Sequence, residues 1–121
     1  MISNAEKLLK KGIIKGPLHF NLVLNVPGSI PGTPRNLMFM VESLPPDSTW
    51  TVTAAGKAHL QLITLAIALG GNVRTGLEDV LMIDQEIMAS NQMLVKRVAD
   101  IAKAFGRAIA TPEDAKRILS L

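Results

Sequence analysis

Cysteine and tyrosine are absent from the 121 residues, and the aromatic side chains number four, three Phe and one Trp. Without cysteine there is no disulfide framework and no thiolate metal site, so a reducing cytoplasm is expected. Four aromatics do not make the Arg-interleaved platform on which nucleic-acid bases stack, and no nucleic-acid partner is expected. Long apolar runs are missing too. The richest segment, Leu60 to Leu69, is interrupted by Gln61 and Thr64 and is too short to cross a bilayer. Met1 is not followed by a charged stretch and a long apolar one, so neither a membrane span nor a secretory leader is expected.

What remains is aliphatic. The chain is 48% hydrophobic, enough to exclude a disordered tail and to predict a substantial core within a single domain. Leu, Ile, Ala, Val and Met must do the packing, as they do between helices and parallel strands. Met38, Met40, Met82, Met88 and Met93 fit core or interface filling better than a cofactor site. The formal charge of +3 comes from scattered residues except for Lys7, Lys10, Lys11 and Lys15, which read as the solvated face of a helix.

Apolar runs alternate with helical patterns, the signature of βα units. Asn4 to Lys11 reads as a short basic helix stopped at Gly12, and Gly16-Pro17 turns into a strand over Leu18 to Leu24. In that strand Leu18, Phe20, Leu22 and Leu24 share one face, and His19, Asn21 and Val23 the other. Thr33 and Pro34 form a cap and first-turn pair for a helix to about Leu44, ended by Pro45-Pro46. A second strand spans Thr49 to Thr53, and a helix from about Lys57 to Leu69 closes on Gly70-Gly71. The third strand is Asn72 to Thr75. Ser90 or Asn91 caps an amphipathic helix carrying Leu94, Val98, Ile101, Ala102 and Phe105, and Thr111-Pro112-Glu113-Asp114 caps a last one with Ala115, Ile118 and Leu119 on its buried side.

Three parallel strands leave both sheet edges bare, and the helix over Lys57 to Leu69 is apolar nearly all round. The chain therefore reads as part of something larger, completed by further polypeptide or by other subunits.

Charge appears abruptly where the third strand ends. In parallel α/β folds ligands sit at the carboxyl ends of strands, so Arg74, Glu78 and Asp79 mark a candidate reaction site; an ion pair that merely fixes the strand end accounts for the same spacing. A carboxylate there can ligate a divalent metal, and a second beside it can move a proton. The loop Pro27 to Thr33 leads into a helix start, where Gly28 and Ser29 are candidates for holding a carboxylate or a phosphorylated thioester carrier, or are simply a proline-stiffened turn. Gly56-Lys57 admits the same two readings. His19 lies at the amino end of its strand, away from this face. His59, in the first turn of its helix, reads as a packing residue rather than a metal ligand. No glycine-rich dinucleotide or P-loop pattern is present, which counts against a nucleotide-binding fold.

The order "GPLHFNLVLNVPGSIPGTPRNLMFMVESLPPDSTWTV", "ALGGNVRTGLEDVL", "SNQMLVKRVADIAKAFGRAIATPEDAKRIL" closely resembles the C-terminal portion of the β-keto acid cleavage enzymes, from Gly16 onward. That resemblance implies a (β/α)₈ TIM barrel of which these 121 residues are a C-terminal fragment, about the last three βα units. It implies zinc as the metal, and it implies acetyl-CoA as co-substrate in converting a β-keto acid to acetoacetate and a shortened acyl-CoA. On the same resemblance Glu78 falls on the zinc-ligating glutamate, Asp79 on the catalytic aspartate and Arg74 on its supporting arginine. The family's two zinc-binding histidines belong to a His-x-His on an early strand that these residues do not contain. The chain is then expected to be inactive alone, and to form a homo-oligomer or associate with the missing N-terminal half. A different reading makes it a non-catalytic assembly or binding subunit.

Overall fold

The computed structural model describes residues 1–121. Helix α1 (Ile2–Lys10) leads into strand β1 (His19–Leu24); α2 (Pro34–Glu42) and β2 (Thr49–Ala54) follow. A single 3₁₀ turn, Gly56–Ala58, then precedes α3 (His59–Ala68), β3 (Asn72–Val73), α4 (Asn91–Ala104) and α5 (Pro112–Leu119). The sheet order is β1-β2-β3 and both pairings are parallel, as the alternation of strands and helices requires.

The two faces of the sheet differ as the β1 alternation predicts. Register pairs Phe20 with Trp50, Leu22 with Val52 and Leu24 with Ala54, and this face carries the core, closed by Leu37 of α2 and by Leu62, Ile63 and Ala66 of α3. On the opposite face His19 pairs with Thr49 and Asn21 with Thr51, which in turn faces Asn72. No helix covers that second face, and its polar groups bond sideways along the sheet. The His19 ring lies 2.8 Å from Thr49 Oγ1 and 3.0 Å from Thr51 Oγ1, and Thr53 donates to Asn21 at 2.9 Å.

Caps form where short polar side chains precede a proline or an apolar turn. Thr33 accepts from the Asn36 amide, Ser90 from that of Met93, and Thr111 shares a reciprocal capping box with Asp114.

Several expectations are corrected. The third strand is two residues long, because only Thr51 and Val52 of β2 have partners on it; Arg74 continues one further bond, from its amide to the Val52 carbonyl. The helix expected from Lys57 starts as a 3₁₀ turn, since Gly56 sits at φ +59° and redirects the chain into α3. On α5, Ala115 and Leu119 are exposed and Ile118 is half-buried; Phe105, just past the end of α4, is exposed, while Leu94 and Ala102 of α4 are buried. The core is smaller than composition suggests. Only 18 residues are buried, because one sheet face and the outer flanks of the helices have nothing packed on them.

Candidate functional site

All three strands end at the same edge, and the segments that follow them lie there together. After β3 the chain makes a tight turn in which the Asp79 and Val80 amides both bond to the Gly76 carbonyl. The turn is tied down from outside: Asn91, the first residue of α4, accepts the Leu77 amide at 2.9 Å, and the Gly56 amide donates to the Asp79 carbonyl at 2.8 Å. Asp79 is thereby held between the segments following β2 and β3.

Arg74 brings the two acids together. Its Nη2 donates to Glu78 Oε2 at 2.6 Å and to Asp79 Oδ1 at 3.1 Å. The partners differ sharply in environment. The Glu78 side chain is 83% exposed, that of Asp79 only 5%. Asp79 Oδ2 is buried with no hydrogen-bond partner, an unusual position for a carboxylate oxygen.

His59 lies behind this pair, 3% exposed, its Nε2 2.9 Å from Thr75 Oγ1. Burial pushes its pKa below the usual imidazole value, with Asp79 opposing the shift and Arg97 adding to it. Neutral imidazole keeps one donor and one acceptor nitrogen, and one of the two is spent on Thr75. A cavity of about 540 Å³, within the range of small-molecule sites, opens beside it, with Lys57, His59, Asp79 and Arg97 among its walls.

Gly28 and Ser29 do not join this cluster. Ser29 Oγ is used within its own turn, accepting from the Val26 amide at 3.0 Å and donating to the Val26 carbonyl at 2.9 Å. Gly28, at φ +80°, is exposed in that turn, with open space where a Cβ would stand. His19 lies at the opposite end of the sheet from Arg74.

No three His, Cys, Asp or Glu side chains of the chain come close enough to hold a metal ion. Glu78 Oε1 is unpartnered and Glu78 is well exposed, so one carboxylate donor is on offer. Catalytic zinc takes three protein ligands, and these residues do not make that set by themselves.

A model of the beta-keto acid cleavage enzymes matches residues 1–121, the entire chain. The chain belongs to that family. It is 45% identical to a 3-keto-5-aminohexanoate cleavage enzyme of Acetoanaerobium sticklandii and 49% identical to one of Fusobacterium nucleatum, each match covering 100% of this chain. A 3-oxoadipate:acetyl-CoA acetyltransferase of Cupriavidus necator is 36% identical, again over 100% of the chain. The chain spans 45%, 44% and 44% of the lengths of these three relatives, under half in each case. The family resemblance read from the motifs is thus shown, and so is the partial extent of the match.

Arg97 and the His59–Thr75 contact escaped the sequence reading. His59 and Thr75 are 16 residues apart and meet only because α3 and β3 are adjacent. Arg97 was one helical cation among several, with no local signal to distinguish it.

Proposed function

We propose that this chain supplies part of the reaction site of a zinc-dependent, acetyl-CoA-using β-keto acid cleavage enzyme, with residues 1–121 as about the last three βα units of a single (β/α)₈ barrel domain. The observation that carries the reading is the Arg74 guanidinium holding Glu78 and a buried, half-satisfied Asp79 at the carboxyl end of a parallel sheet. Such a site is incomplete without the rest of the domain, so the isolated chain is expected to be inactive. The compartment proposed is the cytoplasm.

The overall reaction converts a β-keto acid and acetyl-CoA to acetoacetate and the CoA ester of the shortened acid. Asp79 acts as general base through Oδ2, the oxygen left free when Arg74 engages Oδ1. Arg74 keeps the carboxylate in one orientation and offsets negative charge that develops as the proton leaves. Glu78, held by the same guanidinium, is this chain's ligand to zinc, and the other ligands must come from outside these residues. Zinc, when bound, polarises the substrate ketone. Gly28 and Ser29, following β1 at the same sheet edge, are the proposed wall for an anionic part of the substrate or co-substrate.

The test is acetoacetate release by the chain completed with the remaining portion of a family domain. Asp79→Asn is expected to lower turnover by about a hundredfold or more, since an amide cannot accept the proton. Turnover at the native rate overturns the assignment.

A further inference from the structure

The cavity beside Asp79 carries two cations that the proposed chemistry does not use. Lys57 stands in the 3₁₀ turn before α3 and Arg97 on α4, three elements apart in sequence, yet both line the same cavity. Neither belongs to any of the four ion pairs of the chain, nor does either side chain donate a hydrogen bond within it. Of the acids on these walls, Glu78 and Asp79 already share Arg74, and Asp84 accepts the Gln85 amide at 2.7 Å. Leu60, Val80 and Ile83 add apolar side chains to the lining of the same cavity. At the reacting end stands Asp79 Oδ2, more than nine-tenths buried and without a partner.

We propose that this cavity holds the phosphorylated arm of the acyl thioester, its phosphates on Lys57 and Arg97, its chain along Leu60, Val80 and Ile83, and its thioester end at Asp79. The inference rests on the proposed function, because acetyl-CoA comes to this chain from that reading. The physical case is its own. A ligand with anionic groups at one end and a long, mostly apolar arm suits a cavity lined by two unpaired cations, aliphatic side chains and a buried carboxylate.

The experiment titrates the 121-residue chain with coenzyme A and, separately, with pantetheine, which lacks the phosphates. Lys57→Gln and Arg97→Gln each remove a surface-accessible charge, and circular dichroism checks that the variants keep the fold. Each substitution is expected to weaken coenzyme A binding about tenfold while leaving pantetheine binding unchanged, and Arg97→Lys is expected to restore part of the loss. Added salt should weaken coenzyme A in the native chain and do so less in the variants. Absence of saturable coenzyme A binding by the native chain overturns the proposal, as does an unchanged affinity in both variants. The two readings fail separately. Coenzyme A held through Lys57 and Arg97 by a completed chain that releases no acetoacetate leaves the pocket standing and removes the function. Acetoacetate release with an unchanged KM for acetyl-CoA in Arg97→Gln does the reverse.

Discussion

At the scale of single residues, burial sets two neighbouring acids in different environments. Glu78 and Asp79 share one guanidinium, yet one is in solvent and the other is enclosed. A solvated carboxylate with a free oxygen suits a metal ligand supplied to a larger donor set, and Glu78→Gln in a completed domain should lower bound zinc, measured by elemental analysis, because a neutral amide oxygen is a poorer ligand. Full zinc in that variant contradicts the assignment. His59 gives a prediction within this chain alone. Its folded pKa lies below the unfolded value because burial disfavours the charged ring. The unfolded state then takes up the proton first as pH falls. Stability from this group is complete above the unfolded imidazole pKa, about 6.5, and is lost as pH drops below it toward the folded value. Urea unfolding at pH 7.5 and 5.5 should show a fall in stability that His59→Gln reduces; an equal fall in both proteins contradicts it. The charges of Arg74, Glu78 and Asp79 were legible in the sequence, since they break an apolar pattern at a strand end. The enclosure of Asp79 was not, because it arises among residues distant in sequence, such as Gly56, 23 positions earlier, whose amide holds the Asp79 carbonyl.

At the scale of elements, the third strand depends on what surrounds it more than on its own two residues. The α3 helix is followed by Gly70, φ +86°, and Gly71 then passes directly beneath Trp50: a Cβ there would stand 2.3 Å from the indole ring. Gly71→Ala is expected to destabilise the chain by about 1–3 kcal/mol in urea unfolding, as overpacking does, and a neutral effect contradicts the contact. Arg107, on the segment between α4 and α5, closes the end of α3 from the other side, donating to the Ile67 carbonyl at 2.9 Å and to that of Gly71 at 2.8 Å. Removing it as Arg107→Ala should cost about 1.5–3 kcal/mol, the range for hydrogen bonds from a charged group, and Arg107→Lys should recover only part of it. Helix caps and strand alternation were legible from local signals, since Thr33, Ser90 and Thr111 act within three residues of themselves. The length of β3 and the anchoring by Arg107 were not. Both depend on partners distant in sequence, and Arg107 reads locally as one more surface cation.

At the scale of the whole molecule, the core and the surface are out of balance. Only 18 residues are buried, while 17 large hydrophobic side chains are exposed, among them Leu81, Met82, Ile87 and Met88 in the segment after the site. One face of the sheet is uncovered and lined by His19, Asn21, Thr49 and Thr51. Alternation of apolar and polar residues made the existence of two faces legible from sequence; that the second stays open follows from how few elements there are to cover it. Surfaces of this kind are normally packed against something. Light scattering on the isolated chain should therefore report a mass above the monomer's 13.0 kDa, and a clean monomer contradicts this. The most direct measurement of the central claim is acetoacetate release from a β-keto acid and acetyl-CoA, assayed on this chain alone and on the chain completed by the remaining portion of a family domain. The account predicts no release from the chain alone and zinc-dependent release from the completed one. Full turnover by the chain alone, or none by the completed domain, would contradict it.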